Sequence, residues 1–504
     1  MIFKQYVLLA CALVCMTSEP RSQNLAQELG EIQDEYDLAG GAIALFCADS
    51  VLLAANFGSA HFEAGLSVQP TTKFRIASIS KTITAMAFMQ LVDEGLCSLD
   101  DDISIWLGYT VRNPYYPNTP ITPRMLLSHT STIIDGGNYD SFLSQTYSAA
   151  NVPSLAELIS SNGTEYSSAI FNNTSPGSYF NYSNLNFGIL GTVIEAVSNV
   201  RFDALCKQRI FDPLGIDASF RIADLENIED LCALYRKQNG QWIIQADDFQ
   251  DGIPNEDYLD TYAPGTNALR FAPQGGLRIT ATDLATIFRV FLNAGSVDGI
   301  SILSPASAEA MQAEEWTFNG SNGNNYYGLF RSWGLGLHRS TNTNNQDEIL
   351  EASTVMVGHP GEAYGLVSDA YFDAERAIGL VVLINGCGTG YSTSSGSAFY
   401  TVEKDLFDLA NGYLSGDDCN ALVNELPEVS ANSAEVFPNP ASDNVVVNFA
   451  AAGLHHTTLL DITGKVMWNE VTFTEKVNIS SASLPSGIYT VVADGMVFRV
   501  TIMH

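Results

Sequence analysis

The chain has 504 residues, 46% of them hydrophobic, and 56 Asp+Glu against 23 Lys+Arg give a formal charge of −33. That length allows two or three domains, and that hydrophobic content a large buried core. So acidic a surface repels phosphate backbones and anionic headgroups, which argues against nucleic acid and membrane surfaces as partners.

At the N-terminus Lys4 is followed by an apolar run over 6–16 and then by polar residues to Gln23. A short basic segment before an apolar one of about ten residues describes a secretory signal. Residues 1–22 are therefore read as a signal peptide, too short in its apolar part for stable membrane insertion. Cys11 and Cys15 belong to it, leaving Cys47, Cys97, Cys206, Cys232, Cys387 and Cys419. Export permits disulfides, but the sequence does not choose a pairing, and in so large a core cysteines are more often buried small apolar residues. No Cys-x-x-Cys or His-x-x-x-His spacing suggests a metal, and no cofactor is expected.

The run Phe74-Arg-Ile-Ala-Ser78-Ile-Ser-Lys81-Thr82 opens an apolar segment that nothing breaks before Gly95. Positions three apart share a helix face, so the Ser78 hydroxyl and the Lys81 amine can meet. A nucleophile needs a base within reach, and this spacing supplies one without histidine. Ser80 points elsewhere, and Lys73 and Arg75, ahead of the helix, read as solvated. Taken alone the pattern is weak, since a helix cap followed by a solvated lysine looks the same.

Its company is more specific. Tyr182-Ser-Asn184 lies within a loop-and-helix stretch over 176–191, and His359-Pro360-Gly361 follows far downstream. Leu-Leu-Ser-His129-Thr-Ser131, Phe211-Asp-Pro-Leu-Gly215 and Gly275-Gly-Leu-Arg-Ile-Thr-Ala-Thr-Asp283 lie between them. In this order, the chain up to about Tyr413 resembles the serine hydrolase family of class C β-lactamases, D-Ala-D-Ala carboxypeptidases and related esterases. Thr132 departs from the family's pattern, where glycine is usual.

The resemblance implies an α/β fold of β-lactamase/transpeptidase type over 25–413. Strands at 41–49, 51–58, 354–357, 363–373 and 377–385 would form an antiparallel sheet flanked by helices, with a mostly helical lobe over about 99–271. It also implies the roles. Ser78 would form the acyl-enzyme, with Lys81 and Tyr182 as acid and base, the first base being left open. Asn184 would bond Lys81 and the substrate. His359 would assist Tyr182, giving a pH dependence around 6 to 7. Gly361 would let the strand approach the substrate, and the backbone N–H groups of Ser78 and Glu362 would form the oxyanion hole. His129 reads as structural.

Pro360 carries neither a side-chain donor nor a backbone N–H, where a hydroxyl residue can bind a substrate carboxylate. That favours an esterase-like activity on a neutral ester or amide. A D-Ala-D-Ala carboxypeptidase or β-lactamase is the alternative, with Ser368 or Ser394 replacing the missing hydroxyl. A surface binding protein on an inactive hydrolase fold is less favoured, since Ser78, Lys81 and Tyr182 all stand. In each enzyme reading the substrate is a small molecule or short peptide.

Residues 414–435 are polar, without periodicity, and read as a linker. From 436 to 504, short strand-like segments at 444–449, 457–461, 466–471, 476–479, 487–493 and 497–502 alternate with turn residues, which describes a small β-sandwich. Val436-Phe-Pro-Asn-Pro-Ala-Ser-Asp443 and Leu484-Pro-Ser-Gly-Ile-Tyr489 resemble the C-terminal sorting domain of the type IX secretion system of Bacteroidetes. The implied partner is that machinery, and the implied destination the cell surface or the medium.

Overall fold

The structure, a computed structural model, describes residues 21–414 except 149, 345, 352 and 395, and between 435 and 503 the strands with a few flanking residues. The signal and linker readings fall outside it apart from their end residues. The chain forms two compact units that divide after Cys419.

The first unit is built on nine strands: β1 (Gly40–Cys47), β2 (Val51–His61), β3 (Leu66–Ser67), β4 (Trp316–Thr317), β5 (Ser332–Trp333), β6 (His338–Ser340), β7 (Met356–Ala363), β8 (Leu366–Asp373) and β9 (Ile378–Ile384). Their order across the antiparallel sheet is β4-β5-β6-β7-β8-β9-β1-β2-β3, so early and late strands of the unit meet in its middle. Every residue of β1, β8 and β9 is buried. An antiparallel sheet usually leaves one face to water; here helices cover both. Five helices matter: α1 (Arg21–Tyr36), α2 (Ser80–Asp93), α3 (Asn184–Ser198), α4 (Ala281–Leu292) and α5 (Thr401–Leu414). Helix α2 is buried nearly all round, its polar Ser80, Lys81, Thr82 and Thr84 included.

Two details differ from expectation. The lobe over 99–271 is not wholly helical, for Leu234–Gln238 and Gln241–Ala246 pair as a hairpin. And β7 runs unbroken through Pro360, where the sequence reading interrupted it. The register gives the reason. Tyr364 and Gly365, with φ of 57° and 94°, make a two-residue turn between β7 and β8. In such a hairpin the closing pair is hydrogen-bonded and pairs alternate from there, so Pro360 and Glu362 turn their backbone groups to the other edge. That edge is open, because β6 pairs only as far as Gly358. A missing N–H costs nothing in the ladder there.

Four cysteines (Cys97, Cys206, Cys232 and Cys387) are free and buried, whereas Cys47 is disulfide-bonded. Cys419 lies outside the described residues. In the second unit, strands Glu435–Phe437, Asn444–Asn448 and Lys476–Ser480 form one sheet. His455–Leu460, Val466–Thr472, Gly487–Ala493 and Met496–Ile502 form another. Val445, Val447, Leu459, Ile479, Val491 and Val500 fill one core between them, the sandwich that the strand spacing describes. Among the described residues no helix is long and apolar enough to cross a membrane.

Candidate active site

Ser78 sits in a single 3₁₀ turn (Ala77–Ile79) directly ahead of α2. Ala77 before it holds a left-handed φ of 47°, a conformation that L-residues adopt under strain. The Ser80 hydroxyl accepts the N–H of Leu277 and faces away from the cleft. Lys81, on the first turn of α2, is fully buried. Its Nζ donates to Ser78 Oγ at 2.9 Å and to the carbonyl of Gln274 at 2.7 Å. Burial lowers its pKa to about 7, partly opposed by the charge of Asp135. Lys73 is not solvated: it is buried and paired with Asp217 at 2.7 Å. Arg75 donates to the carbonyl of Gly275 and lies over the Tyr364 ring.

Tyr182 faces Ser78, with its ring 4.9 Å from Lys81 Nζ. It is boxed by His129 at 4.3 Å, Phe330 at 5.4 Å and Trp333 at 5.8 Å. Burial pushes the phenol well above its ordinary pKa, and a hydrogen bond with Ser78 pulls the other way. His129 supports the start of α3: its Nδ1 accepts the Ser183 N–H at 3.1 Å.

Asn184 does not bond Lys81. Its amide donates to Asp135 at 2.8 Å, and the same carboxylate accepts from the Ser183 hydroxyl and from the N–H groups of Asn184 and Leu185. Asp135 thus caps α3 from a distant loop and fixes the segment that carries Tyr182. The sequence reading missed it, since nothing local marks a cap delivered from 49 residues away.

On β7, His359 is buried, its Nδ1 2.6 Å from the Pro360 carbonyl oxygen and its ring 6.1 Å from that of Tyr182. Burial, and then the charge of Lys81, hold its pKa well below 6.5. It is a neutral wall behind Tyr182, so the expected titration of His359 around pH 6 to 7 is corrected: the group poised near 7 is Lys81. Gly361 meets Ser78 directly. A Cβ there would stand 3.1 Å from Ser78 N, 2.7 Å from the Ile76 carbonyl oxygen and 2.4 Å from Ser368 Oγ. Glu362, whose backbone N–H faces the open edge, accepts a hydrogen bond from Tyr400 at 2.8 Å.

Ser78 lies between two chambers. One, of about 940 Å³, is lined by Tyr182, Tyr326, Tyr327, Phe330, Phe399 and Glu403, among others. The other, of about 580 Å³, is more polar and includes Arg75, Asp135, Asp140, Tyr147 and Gln274. Ser368 cannot serve as the substituted hydroxyl, since it is buried and donates to the Ile76 carbonyl at 3.0 Å. Ser394 lines the larger chamber. Among the described residues no cluster of His, Cys, Asp or Glu could hold a metal.

The beta-lactamase family model matches residues 24–394, and that of the secretion system C-terminal sorting domain matches residues 435–497. Penicillin-binding protein 4 of Amycolatopsis lactamdurans is 26% identical over 420 residues, covering 81% of this chain and 92% of its own. The octameric penicillin-binding protein homologue from Pyrococcus abyssi superposes with a TM-score of 0.57 at 21% identity, over 95% of this chain and 98% of that one. EstCE1, a hydrolase with promiscuous acyltransferase activity, gives 0.55 at 20% identity, over 78% and 100% respectively. At these identities the solved structures speak for the fold alone, and the family match covers most of the chain: this protein belongs to the beta-lactamase family of serine hydrolases and carries a type IX secretion sorting domain.

Proposed function

We propose that the catalytic unit hydrolyses neutral esters or amides through an acyl-Ser78 intermediate. The observation that carries this reading is the 2.9 Å contact between Ser78 Oγ and a buried Lys81 amine poised near pH 7. An ordinary lysine, with a pKa of about 10.4, is protonated at neutral pH and cannot accept a proton. Burial makes Lys81 the first base, while Tyr182, held as a neutral phenol, is suited to protonate the leaving group. Ser78 Oγ forms the new bond to the acyl carbon. The oxyanion lies between the N–H groups of Ser78 and Glu362. The leaving group departs with the proton relayed from Lys81 through Tyr182, and water hydrolyses the acyl-enzyme by the reverse relay.

The neutral-substrate preference is supported by the wall beyond the nucleophile. Pro360 offers no donor, Ser368 is committed elsewhere, and Glu362 and Glu403 line the same chamber. One observation favours the alternative, a D-Ala-D-Ala carboxypeptidase or β-lactamase. Arg331 also lines this chamber and has no ion pair among the described residues, so it is available to a substrate carboxylate. The sorting domain would take the enzyme to the cell surface or the medium through the type IX machinery, after a signal peptide over 1–22.

The test is hydrolysis of a short-chain p-nitrophenyl ester by the purified protein, with Ser78→Ala alongside and a penicillin and a D-Ala-D-Ala peptide as competitors. Turnover lost in the variant and unaffected by the competitors is expected. Equal turnover in the variant would sink the acyl-serine mechanism, and strong competition would move the substrate to the alternative.

A further inference from the structure

Three consecutive residues at the mouth of the larger chamber, Tyr326, Tyr327 and Gly328, have φ of 48°, 61° and 101°. Glycine adopts that region freely, whereas a tyrosine does so under strain. The first of the two tyrosines has a visible reason for its place. Its hydroxyl donates to the Tyr182 carbonyl at 3.2 Å, and its ring packs 5.2 Å from Phe330 and 6.1 Å from Tyr182. Pinning Tyr326 against the catalytic loop turns the next side chain outward. Tyr327 is wholly exposed, at 103% of its reference area, while Phe330 and Phe399 in the same wall are buried.

A glycine or asparagine at 327 would make this reversal with less strain and without offering an aromatic face to water. Strain held in a residue that lines a site is a pointer to a ligand role. The direction of the chemistry says which part of the substrate meets it. Tyr182, the proposed proton donor to the leaving group, lines the chamber that Tyr327 lines and not the polar one across Ser78. The leaving group therefore departs on the Tyr327 side. With Phe330 and Phe399 also lining that chamber, that side suits a flat, apolar group.

Resting on the acyl-Ser78 reading, we propose that Tyr327 is a specificity-determining platform on which an aromatic leaving group stacks. The experiment has two parts. Labelling of wild type and variants with a fluorophosphonate reports the nucleophile independently of Tyr327. Then kcat/KM is compared for benzyl acetate and ethyl acetate, whose leaving alcohols have similar basicity. Wild type should favour the benzyl ester. Tyr327→Ala should lower the benzyl-to-ethyl ratio about fivefold, the size of one lost aromatic contact, and Tyr327→Phe should keep it. Tyr327→Gly should lower the ratio as Tyr327→Ala does, yet melt higher, because glycine relieves the backbone. A ratio within twofold of wild type in Tyr327→Ala, with labelling intact, would overturn the platform, as would an equal loss on both esters. Absent labelling of wild type would overturn the acyl-serine reading and this inference with it.

Discussion

In the proposed mechanism Lys81 takes the Ser78 proton only as a free amine, and burial brings its pKa to about 7. The active form is present above that value, so the acylation rate should fall as pH drops through about 7. His359, neutral throughout that window, should not shape the limb: His359→Asn is expected to leave its midpoint in place, and a moved midpoint in the pH–rate profile would count against Lys81. Replacing Lys81 by alanine should cost about 10²–10⁴ in kcat/KM, the usual size of a lost acid–base group. Thr132 carries a second, purely structural consequence. A β-branched residue stands there at a φ of 73°, its hydroxyl accepting from Asn113 at 2.8 Å. Asn113 also donates to the Asn172 carbonyl at 2.8 Å, so it keeps a partner without Thr132. Thr132→Gly should therefore raise stability by about 1 kcal/mol in a denaturant titration. The contact between Ser78 and Lys81 was legible because the two are three apart. The direction of the Asn184 side chain was not, because it depends on Asp135, which no local spacing reveals.

At the scale of elements, the capping of α3 by Asp135 links stability to chemistry. Asp135→Asn removes the charge at the helix N-terminus and should destabilise the unit by about 1 kcal/mol. The same charge raises the pKa of Lys81, so the variant's acid limb should also shift to lower pH; a shift upward would break the argument. The turn that separates β7 from β8 places Gly361 against Ser78 N, and Gly361→Ala should reduce turnover about 100-fold by displacing one side of the proposed oxyanion pair. Sequence reading ended the first strand at 357, ahead of Pro360, and ran the next over 363–373 through this turn, because an unpaired edge is a property of the sheet and not of the strand. The hairpin at Leu234–Gln238 and Gln241–Ala246 was missed although its signal was present. Asn239-Gly240, both with positive φ, is the pair that a two-residue hairpin turn prefers.

Over the whole molecule, acidity reaches the interior. Asp369, directly across from Pro360 on β8, is fully buried with no hydrogen-bond donor to either oxygen. It faces Glu403 on the first turn of α5, and two acceptor-only groups can bond there only by sharing a proton. Burial raises Asp369 well above its ordinary value and brings Glu403 to about 7 from 4.5. The folded state then binds more protons than the unfolded one. Glu403's contribution is complete below about pH 4.5 and is lost as pH rises through about 7. Melting of Glu403→Gln should be less sensitive to pH across that interval and about 2–4 °C higher than wild type at pH 8. No loss of sensitivity would mean that the pair is not protonated.

The buried cysteines set how this chain acquires its covalent structure. Burial raises the thiols of Cys206 and Cys232 well above 9 and that of Cys97 to about 12, leaving almost no thiolate to attack a disulfide. Once the core has closed, these three sulfurs drop out of exchange. For them, scrambling in an oxidising compartment is open to the unfolded chain and closed to the folded one.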